Sequence, residues 1–140
     1  MSIRNASIAD AATLTALLQQ LDYVGTENFI EQRINQLLHH PDQQLLVYEL
    51  YGVVVACMSI HFVPQLALPG DFAIISYFAV DESARSKGIG KLMEAHCTHL
   101  AKQKNCNRIQ VHCHIRREAA HRFYERQGYE ESRKYFIKKL

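Results

Sequence analysis

A short segment that combines glycine with positive charge, residues 85–90 with the sequence Arg-Ser-Lys-Gly-Ile-Gly, has the residue types that bind phosphate groups. It follows an apolar run and opens a helical pattern, so it lies where a helix begins. A helix start presents unpaired backbone N–H groups and the positive end of the helix dipole, and Gly88 and Gly90 allow close approach of the backbone. Arg85 and Lys87 add positive charge. The segment therefore predicts a pyrophosphate site.

Other phosphate-binding patterns do not fit these six residues. A Walker loop needs Gly-Lys followed by Ser or Thr, and a dinucleotide fingerprint needs a further small residue where Met93 stands. A plain helix start with a tight glycine turn is the alternative for this segment taken alone.

Histidine and cysteine residues give no metal-binding pattern. His112 and His114 share a strand face, and His96 and His99 share a helix, but neither pair has a third ligand nearby in the sequence. Free thiols are expected because no two cysteines form a Cys-x-x-Cys pair among Cys57, Cys97, Cys106 and Cys113. We therefore expect no bound metal.

Composition narrows the class of protein. A chain of 140 residues, 48% hydrophobic and 21% charged, is expected to form a single globular domain over 1–140. The net charge of +2 is too small for a broad nucleic-acid footprint. The first residues lack the apolar core of a signal peptide, and no apolar stretch approaches the ~20 residues of a membrane span. We expect a cytoplasmic protein with neither nucleic-acid nor membrane partners.

Two helices are expected before the first long strand. Residues 8–21 carry leucines on one helical face, and Ser7 with Asp10 resembles a capping box. Thr26 is expected to cap a second helix, whose apolar pattern runs to Leu38.

Strand patterns follow from Gln44. Residues 45–48 and 53–60, joined by a turn at Tyr51 and Gly52, predict a hairpin, and the apolar run 72–80 predicts a central strand covered on both faces. The later elements are expected to be a helix over 88–104, a strand over 108–113, a helix over 118–126 closed by Gly128, and a last strand over 135–137.

Two motifs in this order resemble the GNAT superfamily of N-acetyltransferases. Arg85, Gly88 and Gly90 match its pyrophosphate loop, Arg/Gln-x-x-Gly-x-Gly/Ala, which follows the fourth strand of the family. Residues 120–129, Ala-His-Arg-Phe-Tyr-Glu-Arg-Gln-Gly-Tyr, are similar to the family block Ala-x-x-hydrophobic-Tyr-Glu-x-x-Gly-Phe/Tyr. Residues 3–6 look like its first strand, so the resemblance covers nearly the whole chain.

The resemblance implies an α/β fold with a central, mostly antiparallel sheet, a splayed strand pair and about four flanking helices. It implies acetyl-CoA as cosubstrate and transfer of the acetyl group to an amine of a small molecule, by direct attack in a ternary complex. The residues that it implies for cofactor binding are Phe78, Ala79, Val80, Arg85, Ser86, Lys87, Gly88, Ile89, Gly90, Lys91, Arg117, His121 and Tyr124.

The resemblance also implies catalytic roles. A backbone N–H within 78–80 is expected to stabilise the oxyanion that forms when the amine attacks the thioester. Tyr124 matches the family tyrosine that protonates the departing thiolate of coenzyme A. The alternative for Tyr124 is a core aromatic residue beside Phe123.

The general base stays open at this point. Many relatives use a glutamate on the fourth strand, whereas this chain has no acid between Asp71 and Asp81. The candidates are His61, His112 and a water molecule held by Tyr77.

The acceptor amine is indicated by the end of the chain. Residues 120–132 and 136–140 are similar to bacterial aminoalkylphosphonate N-acetyltransferases, which implies a small amine with an anionic group. Its partner is expected among Arg117, Arg133, Lys134 and His61. The alternatives are a polyamine, an aminoglycoside or a peptide amine, or a non-catalytic acyl-CoA-binding sensor or interaction module. The expected strand at 135–137 offers an edge for a homodimer.

Overall fold

The computed structural model describes residues 2–113, 116–132 and 134–140. These residues fall into two compact units, Met1–Gln110 and Val111–Leu140. The elements in chain order are β1 (Ser2–Asn5), α1 (Ala11–Gln19), α2 (Ile30–Leu38), β2 (Gln43–Leu50), β3 (Val53–Val63), β4 (Asp71–Val80), α3 (Ile89–Gln103), β5 (Cys106–Val111) and α4 (Glu118–Arg126), with 3₁₀ turns at Ile8–Asp10, Thr26–Asn28 and Glu82–Ala84.

The strands of the described chain form one mixed sheet in the order β1-β2-β3-β4-β5. Strands β1 to β4 are antiparallel neighbours; Val47 of β2 lies opposite Cys57 of β3, which in turn lies opposite Ala79 of β4. Strand β5 follows β4 through α3, a crossover of the kind that parallel neighbours need. The predicted α/β fold class is confirmed, and so is the hairpin of β2 and β3.

The sheet buries apolar side chains on both faces because successive side chains of a strand point in opposite directions. One face carries a cluster shared by the sheet, α1 and α2, whose members include Val47, Cys57, Ala79, Leu14, Leu17 and Ile34. Helix α3 packs on β3 and β4. The buried residues of these three elements include Met58, Ile60 and Ile75 of the strands and Met93 and Cys97 of α3. None of the helices in the described residues has the length and hydropathy of a membrane span.

All four cysteines are free thiols, as expected. Burial raises the pKa of Cys57 and Cys97 to about 12. Burial also raises the pKa of Cys106 and of Cys113, which are less enclosed.

An arginine joins the first strand to the start of the first helix. The Arg4 guanidinium donates to both carboxylate oxygens of Asp10, at 2.9 and 3.0 Å, and to Glu49 of β2 at 2.9 Å. Hydrogen bonds from Arg4 are the main reason that the pKa of Asp10 is lowered. Asp10 also accepts the Ser7 backbone N–H at 2.8 Å, the capping interaction that the sequence predicts.

Several predicted element boundaries are wrong; the first helix, expected over 8–21, is α1 (Ala11–Gln19) after a 3₁₀ turn at Ile8–Asp10. Thr26 does not cap α2: Gly25, at φ +81°, turns the chain one residue earlier, so Thr26 lies inside a 3₁₀ turn and α2 begins at Ile30. The strand expected over 108–113 is β5, Cys106–Val111. Asn105, at φ +57°, reverses the chain immediately after α3, so β5 begins and ends earlier than expected.

The strand expected over 135–137 is also wrong. Described residues 134–140 contain no strand, and Tyr135, Phe136 and Ile137 are exposed. A high strand propensity needs a neighbouring strand to pair with, and these residues have none in the described structure. The expected edge for a homodimer is therefore not formed there.

Gly70, the residue before β4, has a backbone conformation that excludes a side chain. Its φ is +108°, and a Cβ atom added there would lie 2.7 Å from the backbone oxygen of Asn105. Gly52, in the β2–β3 turn, also has a positive φ, +78°, but a Cβ atom there would meet nothing within 4 Å. A side chain at Gly70 would therefore cause both backbone strain and a steric clash, whereas a side chain at Gly52 would cause strain alone.

We expect Gly70→Ala to lower the free energy of unfolding by about 2–4 kcal/mol, because strain and clash act together. The matched control Gly52→Ala carries the strain alone and should cost about 1 kcal/mol. Urea denaturation of the two variants measures both values. Equal losses at the two positions would contradict the clash with Asn105.

Candidate active site

The segment that follows β4 folds back onto the end of that strand. The backbone N–H of Asp81 donates to Val55 of β3 at 2.7 Å, the last backbone bond of the strand pair. A 3₁₀ turn at Glu82–Ala84 then leads to Arg85, whose Nε donates to the Val80 carbonyl at 3.1 Å. The start of the predicted phosphate segment is thereby fixed to β4.

Residues 86–91 form an arrangement that suits an anion. Ser86 and Gly88 have left-handed backbones, at φ +66° and +79°, and α3 begins at Ile89. The backbone N–H of Leu92 donates to the Gly88 carbonyl at 3.1 Å as the first bond of α3, so the N–H groups of 89–91 have no acceptor within the helix. A Cβ atom added at Gly88 would meet nothing within 4 Å. Backbone N–H groups at such a turn and helix start bind anions.

The expected cofactor residues of β4 lie in the strand that leads to this segment. Phe78, Ala79 and Val80 are paired with Met58, Cys57 and Ala56 of β3. Ala79 is buried in the core, whereas Phe78 and Val80 on either side of it are partly exposed. The structure brings 78–80 and 85–91 together in consecutive parts of the first unit.

Strand β4 contains a bulge that the sequence did not predict. Ser59 of β3 lies opposite Tyr77, but the next residue, Ile60, lies opposite Ile75, so Ser76 has no partner across the strands. Ser76 and Tyr77 are exposed in the middle of the strand. The expectation that β4 is covered on both faces is therefore wrong at this point, because a bulge redirects its side chains.

A histidine on β3 is hydrogen-bonded to the bulged serine. His61 Nε2 lies 2.6 Å from Ser76 Oγ, whereas Ser76 Oγ lies 3.4 Å from the Ser59 carbonyl. Burial lowers the pKa of His61, and the nearby His40 lowers it further. His61 is therefore neutral at neutral pH and can accept a proton.

The other two base candidates have different surroundings. Tyr77 packs edge-on against Tyr23, with ring centroids 5.3 Å apart, and burial together with Tyr23 raises the pKa of Tyr77. A phenol whose pKa is raised stays protonated and acts as a donor. His112 is exposed in the second unit, where its ring stacks on Tyr135 at 4.3 Å.

The second unit contains the expected general acid on α4. Tyr124 is half-buried, and its ring packs edge-on against Phe123 at 5.3 Å and against Tyr129 at 5.4 Å. Gly128, at φ +93°, follows the end of α4 as predicted. Tyr124 is therefore held by neighbouring aromatic rings as well as by its helix.

The remaining expected residues of this unit lie at the start of α4 or near the chain end. Arg117 is exposed and precedes α4 without a side-chain cap, as expected for a residue that cannot accept a hydrogen bond. His121 is half-buried, and its backbone N–H donates to the Arg117 carbonyl at 3.1 Å. Lys134 is exposed, whereas His114 and Arg133 lie outside the described residues. Across the described ranges, no group of three or more His, Cys, Asp or Glu residues could hold a metal ion.

Sequence reasoning missed Ser76 and Tyr23. Ser76 is the one hydroxyl residue in the apolar run 72–80 apart from Tyr77, and this was the available signal. Tyr23 follows α1 in a segment without a pattern, so only the fold brings it to Tyr77.

Comparison with known proteins identifies the family of this chain. The model of the acetyltransferase (GNAT) family matches residues 12–129. The chain belongs to this family and is an N-acetyltransferase. The family uses acetyl-CoA as its acetyl donor and acts on amines.

Individual relatives are similar to this chain in sequence or in fold. The chain is 27% identical over 139 residues to an uncharacterized N-acetyltransferase of Chlorobaculum tepidum. The aligned region covers 99% of this chain and 81% of that protein. A transcriptional regulator from Bacillus halodurans has a similar crystal structure, with a TM-score of 0.89, 22% identity and 99% of both chains covered. An aminoglycoside N-acetyltransferase in complex with CoA has a TM-score of 0.86 at 13% identity, with 99% of this chain and 93% of that chain covered. The solved structures are similar in fold.

We expect the His61 imidazole to titrate below the ordinary histidine pKa of about 6.5. The folded protein then binds this proton less readily than the unfolded chain, so its stability falls as the pH drops below about 6.5. Histidine NMR titration, with His61→Gln to assign the signal, gives the pKa. The same variant should lose this part of the pH dependence of stability, and a midpoint at or above 6.5 would contradict the burial of His61.

Proposed function

We propose that this chain transfers the acetyl group of acetyl-CoA to the primary amine of a small molecule, by direct attack within a ternary complex. The observation that carries the proposal is the backbone of the phosphate segment: Ser86 and Gly88 are left-handed, the Cβ position of Gly88 is unobstructed, and a helix starts at Ile89. Family membership supplies the acetyl donor that this segment would hold.

The cofactor diphosphate is assigned to the backbone N–H groups of 86–91. Arg85 and Lys87 are exposed, so their charges are available to the diphosphate and to the adjacent phosphate. Arg85 keeps its guanidinium near the loop because its Nε is bonded to Val80. Arg117 and His121 are the second unit's candidates for cofactor contacts.

The acyl-transfer step uses a backbone donor and an acid. A backbone N–H of 78–80 is assigned to the thioester oxygen, whose negative charge grows as the amine attacks. Tyr124 is assigned to the departing sulfur: its hydroxyl proton passes to the thiolate as the carbon–sulfur bond breaks. The assignment of Tyr124 is supported by its match to the family motif.

The proton of the attacking amine is assigned to Ser76 and His61. In the tautomer with Nε2 unprotonated, the Ser76 hydroxyl donates to His61 Nε2 across 2.6 Å, so the amine can give a proton to Ser76 Oγ while the serine proton passes to His61. His61 is neutral at the start of this step because of its lowered pKa. This pair would replace the carboxylate that is missing from β4.

The acceptor is proposed to be a small primary amine that carries an anionic group, such as an aminoalkylphosphonate. The support is the similarity of 120–132 to enzymes with such substrates, together with the exposed cations Arg117 and Lys134. A guanidinium binds the oxygens of phosphonate or carboxylate in a bidentate manner. A panel with an aminoalkylphosphonate, a polyamine, an aminoglycoside and a peptide amine tests this class.

We expect Tyr124→Phe to reduce turnover by roughly 10²–10⁴-fold with little change in acetyl-CoA affinity, because the hydroxyl acts on the leaving thiolate. Thiol release with the best amine of the panel measures turnover, and calorimetry measures binding. Tyr51→Phe, which removes an exposed hydroxyl in the β2–β3 turn, is the control. Undiminished turnover would remove Tyr124 from the mechanism, and a wild-type protein that does not bind coenzyme A would overturn the proposed function.

The pH dependence of kcat/KM should rise through the lowered pKa of His61, because only neutral imidazole accepts the amine proton. We expect His61→Gln to remove this rise and to lower kcat/KM by about 10²-fold at neutral pH. Ser76→Ala should have a similar effect. The control is His99→Gln, at an exposed position of α3. An unchanged pH profile in His61→Gln would exclude this pair as the base.

A further inference from the structure

The side chain that follows α1 crosses to the segment after β4. Gln20 Nε2 donates to Asp81 Oδ1 at 2.7 Å, and Gln20 Oε1 accepts the backbone N–H of Glu82 at 3.1 Å. One amide thus bonds the first two residues after β4 and uses both of its polar atoms. We call this set of bonds the Gln20–Asp81 clamp.

The Asp81 carboxylate extends the clamp toward the phosphate segment. Its Oδ2 accepts the Ser83 backbone N–H at 3.0 Å and also the Ser83 hydroxyl. Hydrogen bonds from Ser83 and then from Gln20 lower the pKa of Asp81, so the group is charged at neutral pH. Hydrogen bonds to a charged acceptor are about twice as strong as neutral ones.

Polar bonds account for most of what fixes this part of the chain. Within described residues 81–88, Ala84 is the single buried side chain. The segment is also fixed by backbone bonds, from Asp81 to Val55 and within the 3₁₀ turn, by the bond from Arg85 to Val80 and by the bonds of the clamp. A loop with so little apolar packing changes conformation readily when its polar bonds are removed.

We infer that Gln20 is a positioning residue for cofactor binding: the clamp orders 81–85 so that the N–H groups of 86–91 are oriented before the diphosphate arrives. The inference rests on the proposed function for the identity of the ligand. A loop that is ordered in advance loses less conformational entropy on binding. Loss of the clamp therefore weakens acetyl-CoA binding and leaves kcat at saturating acetyl-CoA nearly unchanged.

Exchanging the two polar groups tests the clamp directly. Gln20→Glu keeps an acceptor for Glu82 N–H but places a second carboxylate against Asp81. Asp81→Asn keeps an acceptor for Ser83 but loses the charge and opposes two amide donors. In the double variant, the new amide at position 81 can donate to the new carboxylate at position 20, which restores every bond of the clamp with exchanged polarity.

Two measurements separate the clamp from the proposed function. Calorimetry with coenzyme A and steady-state kinetics give Kd, KM and kcat, and hydrogen exchange of 82–88 in the free protein reports the order of the loop without any ligand. Gln19→Glu, which adds the same charge at an exposed neighbouring position, is the control.

We expect each single variant to raise the Kd for coenzyme A and the KM for acetyl-CoA about tenfold, equal to about 1.4 kcal/mol, and to speed exchange of 82–88. The double variant should recover most of both losses, and Gln19→Glu should match the wild type. Single variants with wild-type Kd and exchange, or a double variant no better than the worse single variant, would overturn the inference. If the wild type does not bind coenzyme A, the proposed function fails, and faster exchange in the single variants still decides whether the clamp orders this loop.

Discussion

The pairing of β4 with β3 determines where the proposed backbone donor, the proposed base and the start of the phosphate segment lie in the first unit. Ala79 opposite Cys57 fixes the backbone that leads into the phosphate segment, and the bond from Asp81 to Val55 fixes where that strand ends. The same pairing contains the bulge at Ser76, which turns a hydroxyl outward toward His61. Apolar side chains buried on both faces of the sheet hold this strand pair together. They thereby fix the positions of the polar groups proposed to act in the reaction, although they take no part in it themselves.

The sequence predicted local structure correctly where the residues that determine a feature are close to one another in the chain. The helix start after the Gly88 turn, the hairpin and the glycine after α4 each depend on residues within a few positions of one another, and the structure has these local features as predicted. The bulge could not be predicted in this way, because it is a mismatch in register between two strands. Residues 135–137 show the opposite error: their composition favours a strand, but a strand exists only beside a partner.

The missing carboxylate of β4 shows how far a single sequence can specify a site. The sequence offered three base candidates and no means of choosing, because choice depends on distances across strands. In the fold, His61 is bonded to Ser76, Tyr77 is a protonated phenol against Tyr23, and His112 stacks on Tyr135. The sequence did not predict the clamp at Gln20, because a glutamine after a helix is common and its partner Asp81 is distant in the chain.

Burial of Cys57 and Cys97 has a consequence for an enzyme that releases coenzyme A as a free thiol at each turnover. Exchange between a thiol and a disulfide requires a thiolate, and the raised pKa of every cysteine keeps these side chains protonated near neutral pH. Cys57 lies directly across from Ala79, beside the strand assigned to the acyl group, yet its sulfur is enclosed in the core. Cys57 and Cys97 are therefore protected from forming mixed disulfides with oxidised forms of the product.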